Sequence, residues 1–113
     1  MAKIPTSASR DAVRDVAPKL IDLTEKVIYG DVWERPELPK RDRSLITVAA
    51  LMAMGREEQM RGHMGRALDN GVTPAELIEA ITHLAFYSGW PTAMTAARVA
   101  KEVFEARGVA PGD

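Results

Sequence analysis

Two histidines are the residues of this sequence best suited to move protons near neutral pH. His63 and His83 are the only histidines in the 113 residues, and imidazole changes charge between about pH 5 and 8. His63 lies three residues after Met60 and four before Ala67, at the edge of a helical apolar face, and His83 lies one turn before Tyr87. Both are candidates for acid–base catalysis. Both positions also suit core-edge histidines whose ring nitrogens bond to neighbouring groups.

Other reactive centres have weaker support. His63, His83 and an acid could together hold a metal ion, but the sequence has no H-x-H or HExxH spacing, so we expect no metal site. Ser44 and Ser88 lack the G-x-S-x-G elbow of a serine nucleophile. The sequence contains no cysteine, which excludes disulfides, thiol redox chemistry and cysteine–zinc sites.

Basic residues are concentrated at one predicted helix start, over residues 40–43 (KRDR). A helix N-terminus favours anions, so Arg41 and Arg43 suggest an anionic ligand or a carboxylate of a neighbouring chain. The alternative is a solvated face with local pairing to Asp42 and Glu37.

Aromatic residues stand beside the predicted turns. Trp33, Tyr87 and Trp90 either wall a pocket or cap the core, and the sequence leaves both interpretations open.

Composition limits the class of protein. Charged residues make up 27% of the chain and nearly cancel, with 15 Lys and Arg against 16 Asp and Glu, which excludes the electrostatic footprint of nucleic-acid binding. The apolar residues, 46% of the chain with 5% aromatic, favour packed helices and exclude disorder. No signal-peptide pattern opens the sequence, and the apolar stretch 45–54 is too short to span a bilayer. We therefore expect a soluble, cytoplasmic protein.

Helical periodicity covers most of the sequence, and no segment alternates with period two. We expect an irregular arm over residues 1–8, one helical domain over 9–108 and a tail over 109–113. Thr73 and Glu76 form the pattern of a capping box, with Pro74 at the first helical position. Residues 45–53 are apolar nearly all round, which indicates a bundle centre or a subunit interface. The predicted helices are about 9–29, kinked or split at Pro18, 40–54, 56–69, 74–87 and 91–106.

Four stretches of the sequence together resemble the carboxymuconolactone decarboxylase family. They are residues 29–36 (YGDVWERP), 41–51 (RDRSLITVAAL), 62–71 (GHMGRALDNG) and 81–91 (ITHLAFYSGWP). The similarity covers about residues 10–105. It implies an all-α, AhpD-like helical bundle of about five to six helices that associates into rings, typically homohexamers built as trimers of dimers.

The resemblance also distinguishes two branches of the superfamily. The alkylhydroperoxidase branch carries an upstream glutamate, a C-x-x-C pair and a histidine four residues after the second cysteine. Aligning that histidine with His63 places Arg56 and Gln59 at the cysteine positions and Ser44 at the glutamate. Thiol peroxidase activity is thereby excluded.

The decarboxylase branch implies cofactor-independent loss of CO₂ from 4-carboxymuconolactone, or a close lactone acid, in protocatechuate breakdown. The electron pair moves through the ring double bond into the lactone carbonyl, so the substrate is its own electron sink and no cofactor is needed. The protein must bind two carboxylates, exclude water, stabilise an oxyanion and deliver a proton. Under this resemblance the catalytic candidates are the two histidines: His63 is the proton donor, and either His83 or Tyr87 could stabilise the oxyanion. The carboxylate-binding candidates are Arg41, Arg43 and Arg56, and the candidate pocket walls are Trp33 and Trp90.

Two alternatives stay open at the level of sequence. One is another reaction on a related small cyclic acid in the same pocket. The other is a non-catalytic oligomeric binding protein, which would bind lactone acids without turning them over.

Overall fold

The computed structural model describes residues 7–113, and over this range the chain is helical with no strand. The all-α prediction is confirmed. The chain divides into two compact units, one ending at Lys40 and the other beginning at Arg41. The single helical domain expected over residues 9–108 stays a prediction.

The first unit consists of short helical segments. α1 spans Ala8–Val13 and α2 spans Pro18–Leu23; the split falls at Pro18, as predicted, because proline lacks the backbone donor that a continuous helix needs. The chain then continues as a π-helix over Thr24–Tyr29 and a 3-10 turn over Val32–Glu34. The π-helix was not predicted, since its apolar spacing is close to that of an α-helix.

Ion pairs tie the first unit together. Arg14 bonds to both carboxylate oxygens of Glu25 at 2.9 and 2.7 Å, which fastens the end of α1 to the π-helix. The predicted arm over residues 1–8 lies mostly outside the described residues. Within them, Ser7 caps α1 through its hydroxyl, and Ala8 is the first residue of that helix.

The second unit contains four longer helices, and each boundary lies within about one residue of its prediction. They are α3 (Lys40–Ala53, whose first residue ends the first unit), α4 (Glu57–Asp69), α5 (Pro74–Ser88) and α6 (Trp90–Arg107). The turn before α5 contains Gly71 at φ 99°, and Gly89 between α5 and α6 has φ 104°. These are left-handed conformations that glycine adopts at little cost.

Helix α5 begins with the predicted capping box. Thr73 Oγ1 accepts from the amide of Glu76 at 3.1 Å, and Glu76 Oε1 accepts from the amide of Thr73 at 2.9 Å. Pro74 occupies the first turn, where its missing donor costs nothing. The start of α5 is therefore fixed by local sequence.

Substituting Thr73 with alanine should lower the free energy of unfolding by about 1 kcal/mol, because the amide of Glu76 loses its acceptor. Urea unfolding followed by circular dichroism measures this. Thr82→Ala is the matched control, since the Thr82 hydroxyl bonds to the preceding-turn carbonyl of Ile78 on an exposed face. An equal loss in both variants would contradict the capping role.

Helix α6 organises the core of the second unit, since both α4 and α5 pack against it. Small side chains let the helices approach closely, and methionines fill the remaining space. The buried core comprises Val48, Met52, Met60, Met64, Ala67, Val72, Leu77, Ile81, Ala85, Ala93, Ala96, Val99, Ala100, Val103 and Phe104.

Helix α3 buries only one face in the protomer. Ser44, Val48 and Met52 are buried, whereas Ile46 is 58% exposed. The nearly all-round apolar pattern predicted a bundle centre or a subunit interface, and the exposed Ile46 face leaves the second of these open.

Ion pairs join α4 to α6 along their length. Arg98 bonds to Glu57 at 2.5 Å, and Arg61 bonds to Glu102 at 2.6 Å. Farther along, Arg107 pairs with Asp69 at 2.7 Å. The Arg107 guanidinium also lies over Gly65, where an added Cβ would be 2.7 Å from Nη2. These ion pairs are exposed, so each contributes little to stability, but they lie along the contact between α6 and the helix that carries His63.

Within residues 7–113, no helix combines the length and apolar character required to cross a membrane.

Candidate active site

His63 occupies the middle of α4 on a partly covered face. Its side chain is half-buried, and its Nδ1 atom is buried. Burial lowers the pKa of His63 below its ordinary value, because the imidazolium loses water, and the positive charge of Arg66 lowers the pKa further. The neutral imidazole is therefore the favoured form at pH 7.

This lowered pKa makes stability depend on pH. Below about pH 6.5 the unfolded chain binds a proton at His63 while the folded chain resists it. Stability should therefore decline as pH falls from about 6.5 toward the folded pKa, and a His63→Gln variant should lack this component. Urea unfolding of both proteins at several pH values, with an NMR titration of His63, checks the sign. A folded pKa above 6.5 would contradict it.

Arg66 is a candidate site residue that the sequence analysis did not name. It lies three residues after His63, so the two side chains are neighbours on α4. It is half-buried, unlike Arg56, which is exposed at the start of the helix. The spacing of three residues from His63 is the sequence signal for Arg66, whereas Arg41, Arg43 and Arg56 were predicted mainly from the positive charge that a carboxylate substrate requires.

A side-chain hydrogen bond joins the C-terminal end of α4, on the face that carries His63, to α3. Asn70 lies seven residues, or two turns, after His63 and therefore points to the same side. Its Nδ2 donates to Ser44 Oγ of α3 at 2.9 Å. Ser44 is fully buried, which suits a structural link between α3 and the end of α4.

His83 and Tyr87 come together on α5, as their spacing of one turn implies. Their ring centroids are 4.9 Å apart with an interplanar angle of 33°. Both are exposed. Trp90, at the start of α6, meets Phe86 edge-on at 5.6 Å.

Arg41 is engaged within the fold. Its guanidinium bonds to the carboxylates of Glu76 and Asp42, which raises the pKa of Arg41. The amide of Thr73 and the Arg41 guanidinium together lower the pKa of Glu76. Because Glu76 also completes the capping box, Arg41 fastens the start of α3 to the start of α5.

Arg43 and Trp33 belong to different units of the chain. Arg43 is half-buried in the first turn of α3. Trp33 belongs to the first unit, where it is half-buried and lies 5.9 Å from Tyr29 between ring centroids. In the described part of the chain, no group of three or more His, Cys, Asp or Glu could hold a metal ion.

The sequence is similar to proteins of known activity. The family model of the carboxymuconolactone decarboxylase family matches residues 18–102. The 4-carboxymuconolactone decarboxylase of Acinetobacter baylyi is 40% identical over 103 residues, which are 91% of this chain and 77% of that protein. The nitrosuccinic acid decarboxylase of Metarhizium robertsii is 35% identical over 75 residues, 66% of this chain. The chain spans 52% of the length of that second protein.

Both relatives are named as decarboxylases, which supports carboxy-lyase activity for this chain. The family match takes in α4 with His63, all of α5 and most of α6. This chain belongs to the carboxymuconolactone decarboxylase family.

Proposed function

We propose that this chain catalyses the cofactor-independent decarboxylation of 4-carboxymuconolactone, or a close lactone acid, to the 3-oxoadipate enol-lactone. The observation that carries the proposal is 40% identity over 91% of the chain to a protein named for this reaction. The half-buried His63 beside Arg66 supplies a proton carrier and a cation on one helix face.

The first step of the proposed mechanism is electrostatic attraction between the protein and a substrate carboxylate. Arg66 attracts a substrate carboxylate to the face of His63, because a guanidinium matches a carboxylate with two parallel donors. A bound carboxylate adds negative charge near the imidazole, which raises the pKa of His63 toward the protonated form. Substrate binding thereby favours the protonated His63 that the reaction later needs as its proton donor.

The chemical step then breaks the bond between the ring carbon and its carboxylate. CO₂ leaves, the electron pair enters the ring, and the lactone carbonyl oxygen becomes an oxyanion. His63 gives its proton to the ring carbon next to that carbonyl. The double bond of the enol-lactone then ends at the ring carbon that carried the lost carboxylate. A positioned general acid contributes about 10²–10⁴-fold in rate, and the phenol of Tyr87 or the ring of His83 would serve the oxyanion.

A second candidate substrate is a nitro-substituted diacid, which the identity to nitrosuccinic acid decarboxylase favours. Such a substrate shares the essential chemistry, because it has two carboxylates and an electron-withdrawing group that accepts the electron pair. The same cation and proton donor would act on it.

Release of CO₂ from 4-carboxymuconolactone, with identification of the product, tests the proposal. Stoichiometric CO₂ and enol-lactone are expected. Ring opening without CO₂ would indicate another reaction on the lactone, and CO₂ from nitrosuccinate alone would indicate the second substrate. Thermal stabilisation by lactone acids without turnover would indicate a binding protein.

The family resemblance also supports a homo-oligomer, proposed as a hexamer built as a trimer of dimers, in the cytoplasm. Sedimentation of the purified protein tests the assembly.

A further inference from the structure

A groove lies between α5, α6 and the segment that follows α6. Its volume is about 470 Å³, within the roughly 300–1,000 Å³ of small-molecule pockets. Ile78 and Ile81 of α5 and Phe104 of α6 line its apolar interior. We call it the α5–α6 groove. None of the residues that line it belongs to α4, so the groove is separate from the helix face that carries His63.

The segment after α6 forms one wall of the groove, through Val109 and Pro111. The amide of Val109 donates to the carbonyl of Phe104 at 3.1 Å, and the Val109 side chain packs against the buried core. The amide of Ala110 donates to Asp113 Oδ2 at 2.8 Å, and the amide of Asp113 donates to the carbonyl of Ala110 at 3.0 Å. Because these bonds already hold the wall in place, a ligand would have little backbone to order on binding.

Two opposite charges, Lys101 and Glu105, stand on the rim of the groove. They lie one turn apart on α6, and both are exposed. Within residues 7–113, neither forms an ion pair or a hydrogen bond with another side chain. The other charged side chains of α6 are all paired, namely Arg98, Glu102 and Arg107. An exposed pair between Lys101 and Glu105 themselves would be weak, so both charges are available to a ligand.

This pair of charges limits which ligands the groove can hold. A carboxylate without an ammonium is attracted by Lys101 but repelled by the adjacent Glu105, and an amine without a carboxylate has the converse problem. The lactone diacid of the proposed function therefore does not suit the groove, which also lacks a histidine. A zwitterion with neighbouring ammonium and carboxylate groups gains from both charges.

We propose that the α5–α6 groove binds a free α-amino acid with a large apolar side chain, whose carboxylate pairs with Lys101 and whose ammonium pairs with Glu105. An α-amino acid carries both charges on one carbon, as the rim carries them on neighbouring positions of one helix face. A dry apolar cavity of about 150 Å³ holds benzene, so a groove of about 470 Å³ has room for a phenylalanine with its backbone. A peptide does not fit this pattern, because its terminal ammonium and terminal carboxylate belong to different residues.

Calorimetric titration of the unaltered protein with L-phenylalanine, without lactone substrate, tests the proposal independently of the proposed activity. Saturable binding with a Kd below about 1 mM is expected. Two matched ligands should each bind at least about 10-fold more weakly, because each loses one hydrogen-bonded charge pair: 3-phenylpropionate lacks the ammonium, and 2-phenylethylamine lacks the carboxylate. Equal binding of either, or no saturable binding of L-phenylalanine, overturns the proposal.

Variants of the rim assign each charge to its ligand group. Lys101→Gln should weaken L-phenylalanine by about 10-fold without weakening 2-phenylethylamine, and Glu105→Gln should weaken L-phenylalanine without weakening 3-phenylpropionate. Lys19→Gln on α2 is the matched control, because it removes the same exposed charge from the first unit and should leave all three affinities unchanged. If Lys101→Gln leaves L-phenylalanine affinity unchanged, or if Lys19→Gln lowers it equally, the assignment is wrong.

NMR of the same samples locates the ligand. L-phenylalanine should shift the amide resonance of Val109, in the wall of the groove, more than that of His63 on α4. The reverse pattern would place the amino acid on the His63 face and overturn the proposal.

Discussion

Substituting His63 with alanine should reduce kcat for CO₂ release from 4-carboxymuconolactone by about 10²–10⁴-fold, the range of a positioned general acid. The physical reason is that the oxyfuran-like anion must receive a proton at carbon, and His63 is a half-buried proton carrier beside a cation. KM should change little, because the imidazole acts mainly after CO₂ has left. Steady-state kinetics with both constants resolved measures the effect.

Gln59→Ala is the control for this experiment, since Gln59 lies one turn before His63 on α4 and is exposed. Its kcat should stay near that of the unaltered enzyme. His63→Gln keeps a hydrogen-bond donor but cannot transfer a proton at neutral pH, so it should be nearly as impaired as the alanine variant. Full turnover by His63→Ala, with normal circular dichroism, would exclude His63 as the acid.

Sequence predicted the second unit well because its helix boundaries are set by local chemistry. Thr73 and Glu76 bond to each other across three residues, and Gly71 and Gly89 take left-handed conformations beside their own helices. None of these interactions requires knowledge of distant residues. The π-helix over Thr24–Tyr29 escaped prediction because a change from i−4 to i−5 bonding leaves the apolar pattern almost unchanged.

The candidate site was predicted less completely because its properties are not local. The sequence shows that Arg41 is a cation, but its partner Glu76 lies 35 residues away. Likewise, the aromatic character of Tyr87 and Trp90 suggested pocket walls or core caps, and only the structure shows how far they are exposed. Burial and long-range pairing depend on how helices meet, which periodicity alone does not determine.

Arg66→Gln should raise KM for the lactone acid by about 10–100-fold, with a smaller change in kcat, because a lost hydrogen bond to a charged group costs about 1.5–3 kcal/mol. The same change should raise the pKa of His63, since the Arg66 charge contributes to its lowering. Arg66→Lys should recover only part of the affinity, because an ammonium lacks the guanidinium's paired donors. Steady-state kinetics and an NMR titration of His63 provide the two measurements.

Variants of two further arginines show whether the effect of Arg66→Gln on KM comes from lost carboxylate binding or from the loss of any positive charge. Arg61→Gln removes the same charge from α4 but breaks an ion pair with Glu102 on the α6 side, so KM should stay within about twofold because exposed pairs contribute little. Arg41→Gln should instead lower the free energy of unfolding by at most about 1 kcal/mol, since Arg41 pairs with Glu76 at the start of α5. If Arg41→Gln raises KM strongly while Arg66→Gln leaves KM unchanged, the carboxylate is bound at the start of α3, and the His63 face of α4 is not the substrate site.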